Sequence, residues 1–97
     1  MEIKFKALKF EAGEQLVAFA EKKVSRLSRF CEGLTEEVEV ALEDHLKQGK
    51  QAKIQIHIPG EELIIERTAD TFENAITEAV DAMKEKITRV KERKFEN

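Results

Sequence analysis

The side chains in this sequence best placed to do chemistry with a partner are its clustered lysines and arginines, and that chemistry is the neutralisation of phosphate. Between Lys22 and Cys31, Lys22, Lys23, Arg26 and Arg29 contribute four positive charges and ten residues pass without a carboxylate. Between Lys84 and Lys94 six positive residues (Lys84, Lys86, Arg89, Lys91, Arg93 and Lys94) face only Glu85 and Glu92. Lys22, Arg26 and Arg29 follow i, i+4, i+7, and Lys86, Arg89 and Arg93 follow i, i+3, i+7, so each set falls on one face of a helix. Cations on a solvated helix face, or near a helix C-terminus, are ordinary in themselves. What weighs towards binding is context: acids outnumber bases, 20 against 17 for a net charge of −3, yet the positive residues are concentrated in two runs. The acids collect elsewhere, at Glu36, Glu37, Glu39, Glu43 and Asp44 and at Glu61, Glu62 and Glu66, which predicts a dipolar molecule.

Backbone phosphates of structured RNA suit such runs, because they require spaced cations and little base-reading chemistry. Stacking on unpaired bases is not expected. The chain has no Tyr or Trp; Phe5, Phe19, Phe30 and Phe72 fit apolar faces, and Phe95 is the loose aromatic.

Other chemistries find few candidates. His57 falls on the outer face of a strand and His45 at a strand end, positions that suit solvent-exposed residues better than general bases. Cys31 closes the apolar stripe of a helix and reads as buried packing. As the single cysteine it has no partner for an internal disulfide, and no Cys/His pattern has zinc-site spacing. Glu37, Glu39 and Glu43 alternate along one strand as solvated acids do, and the isolated glycines form no phosphate loop. The expectation is a protein that is not an enzyme, with no catalytic residues, no metal and no cofactor.

The elements that must position the cations follow from periodicity. Ile3, Phe5 and Ala7 alternate with Glu2, Lys4 and Lys6 in a first strand over residues 2–8. Leu16, Phe19, Ala20, Val24, Leu27 and then Phe30 or Cys31 have helical spacing, predicting a first helix from about Gly13, a weak N-cap, to Glu32, with Gly33 as its left-handed terminator. Val38, Val40 and Leu42, then Ala52, Ile54, Ile56 and Ile58, mark two half-buried strands, and Pro59-Gly60 fits the centre of a type II turn. A fourth strand spans about Glu62 to Thr68, with Leu63 and Ile65 inward and Arg67 towards the helix side or its rim. Asp70 and Glu73 resemble a capping box ahead of a second helix, Thr71 to Lys94, whose stripe is Phe72, Ala75, Ile76, Ala79, Val80, Met83, Ile87 and Val90. At ~1.5 Å per residue this helix outruns the width of a four-stranded sheet, so its last turns should project.

With 97 residues, 41% of them hydrophobic, the chain suits one domain over residues 1–97. The order β-α-β-β-β-α predicts an α+β fold: a mixed four-stranded sheet in the order 1-2-3-4, strands one and two parallel, both helices on one face and the basic stripes near each other. No apolar run reaches the ~20 residues of a membrane span and the N-terminus lacks a secretory pattern, so a cytoplasmic protein without a membrane partner is expected.

These residues resemble a known family. Glu2-Ile3-Lys4, Glu14-Gln15-Leu16-Val17 and Glu21-Lys22-Lys23-Val24-Ser25-Arg26-Leu27, with Ala69-Asp70-Thr71-Phe72-Glu73-Asn74-Ala75-Ile76 and Val80-Asp81-Ala82-Met83, look like the short ribosome hibernation promoting factors, the ribosome-associated inhibitor family. The resemblance implies a translation-silencing factor of stressed or stationary cells that binds the small ribosomal subunit and the 70S ribosome and blocks the channel used by mRNA and tRNA, with no small-molecule substrate. It assigns contacts with 16S rRNA phosphates to Lys22, Lys23, Arg26 and Arg29 and to Lys86, Arg89, Lys91, Arg93 and Lys94. Long members add a C-terminal dimerisation domain, and a chain ending at Asn97 looks like the short form. Where the family's second helix often carries Arg and then His, this chain has Glu85 and Val90, a departure that bears on the exact contacts. Two other readings of the residues stay open: a general double-stranded-RNA module, and a protein-binding scaffold that uses the acidic sheet face.

Overall fold

The computed structural model describes residues 1–35 and 37–95; Glu36 and the side chain of Phe95, both named above, lie outside the described residues. The apolar/polar alternation of the four strands is realised as a sheet with one covered and one open face. The strands are β1 (Glu2–Leu8), β2 (Glu37–Asp44), β3 (Lys50–Ile58) and β4 (Glu61–Ala69), in the order β1-β2-β3-β4. β1 pairs parallel with β2, and the other two pairings are antiparallel. The α+β class, the strand order and the mixed pairing are therefore as expected.

Register places like with like. Phe5, Val40, Ile54 and Ile65 form one row across the covered face, and Ile3, Val38, Ile56 and Leu63 form the next. A third row runs Ala7, Leu42, Ala52, Arg67, so Arg67 occupies the helix side of the edge strand. In β4 Leu63 is fully buried while Ile64 is 39% exposed on the open face, which settles the inward residues of that strand. The helices lay Ala20, Val24, Leu27 and Cys31, and Ala75, Ile76, Ala79, Val80, Met83, Ile87 and Val90, onto these rows as one core. Each fully buried Leu or Ile removes enough apolar area to contribute about 1.5–3 kcal/mol.

Three local features differ from the expectations. The first helix is broken into α1 (Glu14–Ser25) and α2 (Ser28–Cys31). The Ser25 hydroxyl donates to the Lys22 carbonyl at 2.8 Å, so the Arg26 amide turns to Lys23 and the Leu27 amide to Val24. This i→i−3 tightening rewinds the chain and still keeps Leu27 and Cys31 in the core. Gly33 takes the positive φ, +80°, that its terminator role demands.

The last helix, α3, spans Phe72–Phe95, and its N-cap is Thr71, not Asp70. The Thr71 hydroxyl accepts from the Asn74 amide at 3.0 Å, while Asp70 accepts from the Asn74 side chain. α3 also runs back along β4 rather than across the sheet, so the relevant length is that of a strand. Burial continues to Val90, and Arg93 reaches Glu61 at the start of β4. The projecting end is accordingly shorter than the sheet's width suggested.

Candidate nucleic-acid interface

The helix layer holds its cations because apolar positions at i, i+3, i+4 bind one face of each helix to the sheet and leave the remaining face to polar residues. Lys22 and Lys23 occupy the last turn of α1, Arg26 caps it, and Arg29 lies in α2. Lys22, Arg26 and Arg29 are exposed. The break after Ser25 means that these residues do not share one continuous helix. Lys22 lines a shallow cleft with Met1, Ile3 and Ala18 at the β1 edge. Lys23, ~100° further round the helix, lies over the Phe19 ring at 5.6 Å.

The cations of α3 divide between its two flanks. On the flank facing α2, Lys84 Nζ lies 5.8 Å from the Phe30 ring, and Lys91 sits near Cys31. Burial pushes the Cys31 thiol above its usual range, with the Lys91 charge a smaller opposing influence. On the other flank Lys86, Arg89 and Arg93 line a groove with Glu61, Ile65 and Arg67 of β4. The structure thus brings Lys84 and Lys91 to the seam between the first helices and α3, while Lys23 covers an aromatic ring of its own helix. It carries Lys86, Arg89 and Arg93 away from that seam, and leaves Lys94 exposed near the end of α3.

Pairing separates the two faces of the molecule in part. On the sheet side Lys4 and Lys9 each have a carboxylate oxygen at 3.2 Å, although Lys6 and Lys53 make no ion pair among the described residues. Of the nine helix-layer cations expected to bind RNA, only Arg89 and Arg93 make ion pairs among the described residues, with Glu85 at 4.0 Å and Glu61 at 2.5 Å. Unpaired, solvated cations are the ones that exchange counterions for phosphate at least cost.

Sequence reasoning left two residues out of the site. Lys84 belongs to the basic run but falls outside the i, i+3, i+7 stripe, and Arg67, though alternation turns it to the helix side, is a lone cation on a strand that nothing in the sequence ties to the basic runs. His57 is exposed beside Glu62 as expected, but His45 is half-buried. Its Nε2 lies 3.0 Å from Gln51 Oε1 and 3.4 Å from Glu43 Oε2, because the β2–β3 turn folds the ring back over the sheet. Among the described residues no group of three or more His, Cys, Asp or Glu is placed to hold a metal ion, and no helix is long and apolar enough to cross a membrane.

The fold and the charge map define a class: a small α+β protein with a cation-bearing helix layer over an acid-rich open sheet. Within that class the chain belongs to the sigma 54 modulation protein / S30EA ribosomal protein family, whose family model matches residues 3–94. This bears out the family resemblance read from the residues. Among solved structures the chain is similar to the Protein Y N-terminal domain of Thermus thermophilus, with 25% identity and a TM-score of 0.79 over 93% of this chain and 99% of that one. It shares its fold with a ribosomal subunit interface protein from Coxiella burnetii, at 14% identity and a TM-score of 0.83, covering 94% and 98% of the two chains. No curated protein matches it in sequence.

Proposed function

We propose that this protein is a ribosome hibernation factor: a single cytoplasmic domain that binds the small ribosomal subunit through 16S rRNA phosphates and silences translation under stress or in stationary phase. The observation that carries the reading is the family match over residues 3–94. The charge map supplies a physical means. Lys22, Lys23, Arg26 and Arg29, with Lys86, Arg89, Lys91, Arg93 and Lys94, place cations on several sides of a rigid apolar core, suited to a cleft with phosphate on more than one wall.

The mechanism is steric occlusion. A folded wedge held in the decoding channel by many phosphate contacts excludes mRNA and tRNA without any bond being made or broken, so no catalytic group is required. Each released counterion adds to affinity, and the contacts read shape and charge in place of base sequence.

Changing Lys22, Arg26 and Arg89 together to Glu tests this reading. Three phosphate contacts become three repulsions, so binding to isolated small subunits should fall by at least ~100-fold at moderate salt. Unchanged binding by the folded triple variant would remove the reading.

A further inference from the structure

β4 is an edge strand, and the groove between it and α3 carries Arg67, Lys86, Arg89 and Arg93 against Glu61 and Glu85, four positive charges to two negative. The outermost ridge of α3 is acidic: Glu78, Asp81, Glu85 and Glu92 are all exposed, at i, i+3, i+7 and i+14. This ridge parts the groove from the seam that holds Lys84 and Lys91. A polyanion can therefore lie along either side of α3 but is repelled from its crest.

Resting on the ribosomal reading above, we propose that this groove is a second backbone-phosphate track, in which Arg67 is a contact residue and Glu61 holds Arg93 until a phosphate displaces it. Arg67 makes no ion pair among the described residues. One of its five N–H donors is spent, from Nη1 to the Glu66 carbonyl at 2.8 Å. An edge-strand arginine also discourages strand-to-strand aggregation, but that role needs no other cations, whereas this one converges with Lys86 and Arg89 on one groove. Alternate backbone N–H groups along an edge strand are unpaired, and they are donors of the kind that position phosphates.

Glu61 is the complementary part. Its carboxylate binds the Arg93 guanidinium across 32 positions of sequence, using the charge-assisted geometry that a phosphate oxygen would use. It keeps Arg93 extended along the groove in the free protein and competes with RNA for it. Among the described residues no aromatic ring lines the groove, which suits a phosphodiester backbone of any sequence.

The test measures binding of the full chain to isolated small ribosomal subunits across a salt series, with thermal melts to show that each variant folds. Arg67→Gln should weaken binding about three- to ten-fold and flatten the slope of log affinity against log salt by about 0.7–0.9. Arg67→Lys should keep the slope. Glu61→Gln should tighten binding about two- to five-fold, the scale of an exposed ion pair. Affinity and slope unchanged in Arg67→Gln, while the unaltered protein binds normally, would overturn the groove alone. Failure of the unaltered protein to bind subunits would overturn the ribosomal reading and the groove with it.

Discussion

A methyl group on Gly49 would stand 2.8 Å from Thr68 Cγ2 and 3.0 Å from the Ala69 carbonyl oxygen, so the turn into β3 closes directly onto the end of β4. Gly49 also has φ +113° and ψ −174°, a region that side-chain-bearing residues rarely enter. Gly49→Ala therefore combines strain with a clash and should cost about 2–4 kcal/mol. Gly33→Ala meets open space at φ +80° and should cost about 1–2 kcal/mol from backbone strain alone. Urea melts of both variants check this. Equal losses would contradict the close approach of the β3 and β4 ends.

The same turn responds to acid. A hydrogen bond from Lys50, and then one from the Leu46 amide, hold the Asp44 carboxyl below its ordinary range. A carboxyl whose folded pKa is depressed adds stability that is complete above its unfolded pKa, near 4, and is lost as pH falls through the folded value. Stability should thus decline below about pH 4, and Asp44→Asn should remove that part of the decline. An unchanged acid limb in the variant, followed by melts from pH 6 to pH 2, would show that the contact to Lys50 carries no linkage.

β4 supplies a test of register. Leu63 is fully buried and Ile64 is 39% exposed. Leu63→Ala should cost about 2–5 kcal/mol through lost transfer energy and an unfilled cavity. Ile64→Ala should stay within about 0.5–1 kcal/mol. The reverse order would mean that the strand is shifted by one residue, which would also turn Arg67 to the open face.

How much was legible from the residues depends on whether a feature obeys a period. The four strands, their covered faces, the Pro59-Gly60 turn and the stripe of α3 were readable, because alternation and 3.6-residue spacing report burial directly. The break after Ser25 was not, since it arises from one hydroxyl capturing a carbonyl, and serine at that position fits a helix pattern equally well. The N-cap shifted by one residue because Asp70 and Thr71 are both good caps, and only geometry chooses between them. The basic runs were visible as composition, but which flank each cation takes depends on the direction of α3 along β4. Alternation along the fourth strand turned Arg67 towards the helix side, as register bears out, but did not tie it to the basic runs. Arg67 joined Lys86 and Arg89 only once register placed it in the row of Ala7, Leu42 and Ala52.

The most direct test of the central claim is co-sedimentation of the purified protein with isolated small ribosomal subunits and with naked duplex RNA across a salt series, repeated with mRNA and tRNA as competitors. Binding to subunits in preference to duplex, falling steeply as salt rises and displaced by mRNA together with tRNA, is the predicted result. Equal binding to naked duplex, or binding that mRNA and tRNA leave untouched, would contradict occlusion of the decoding channel.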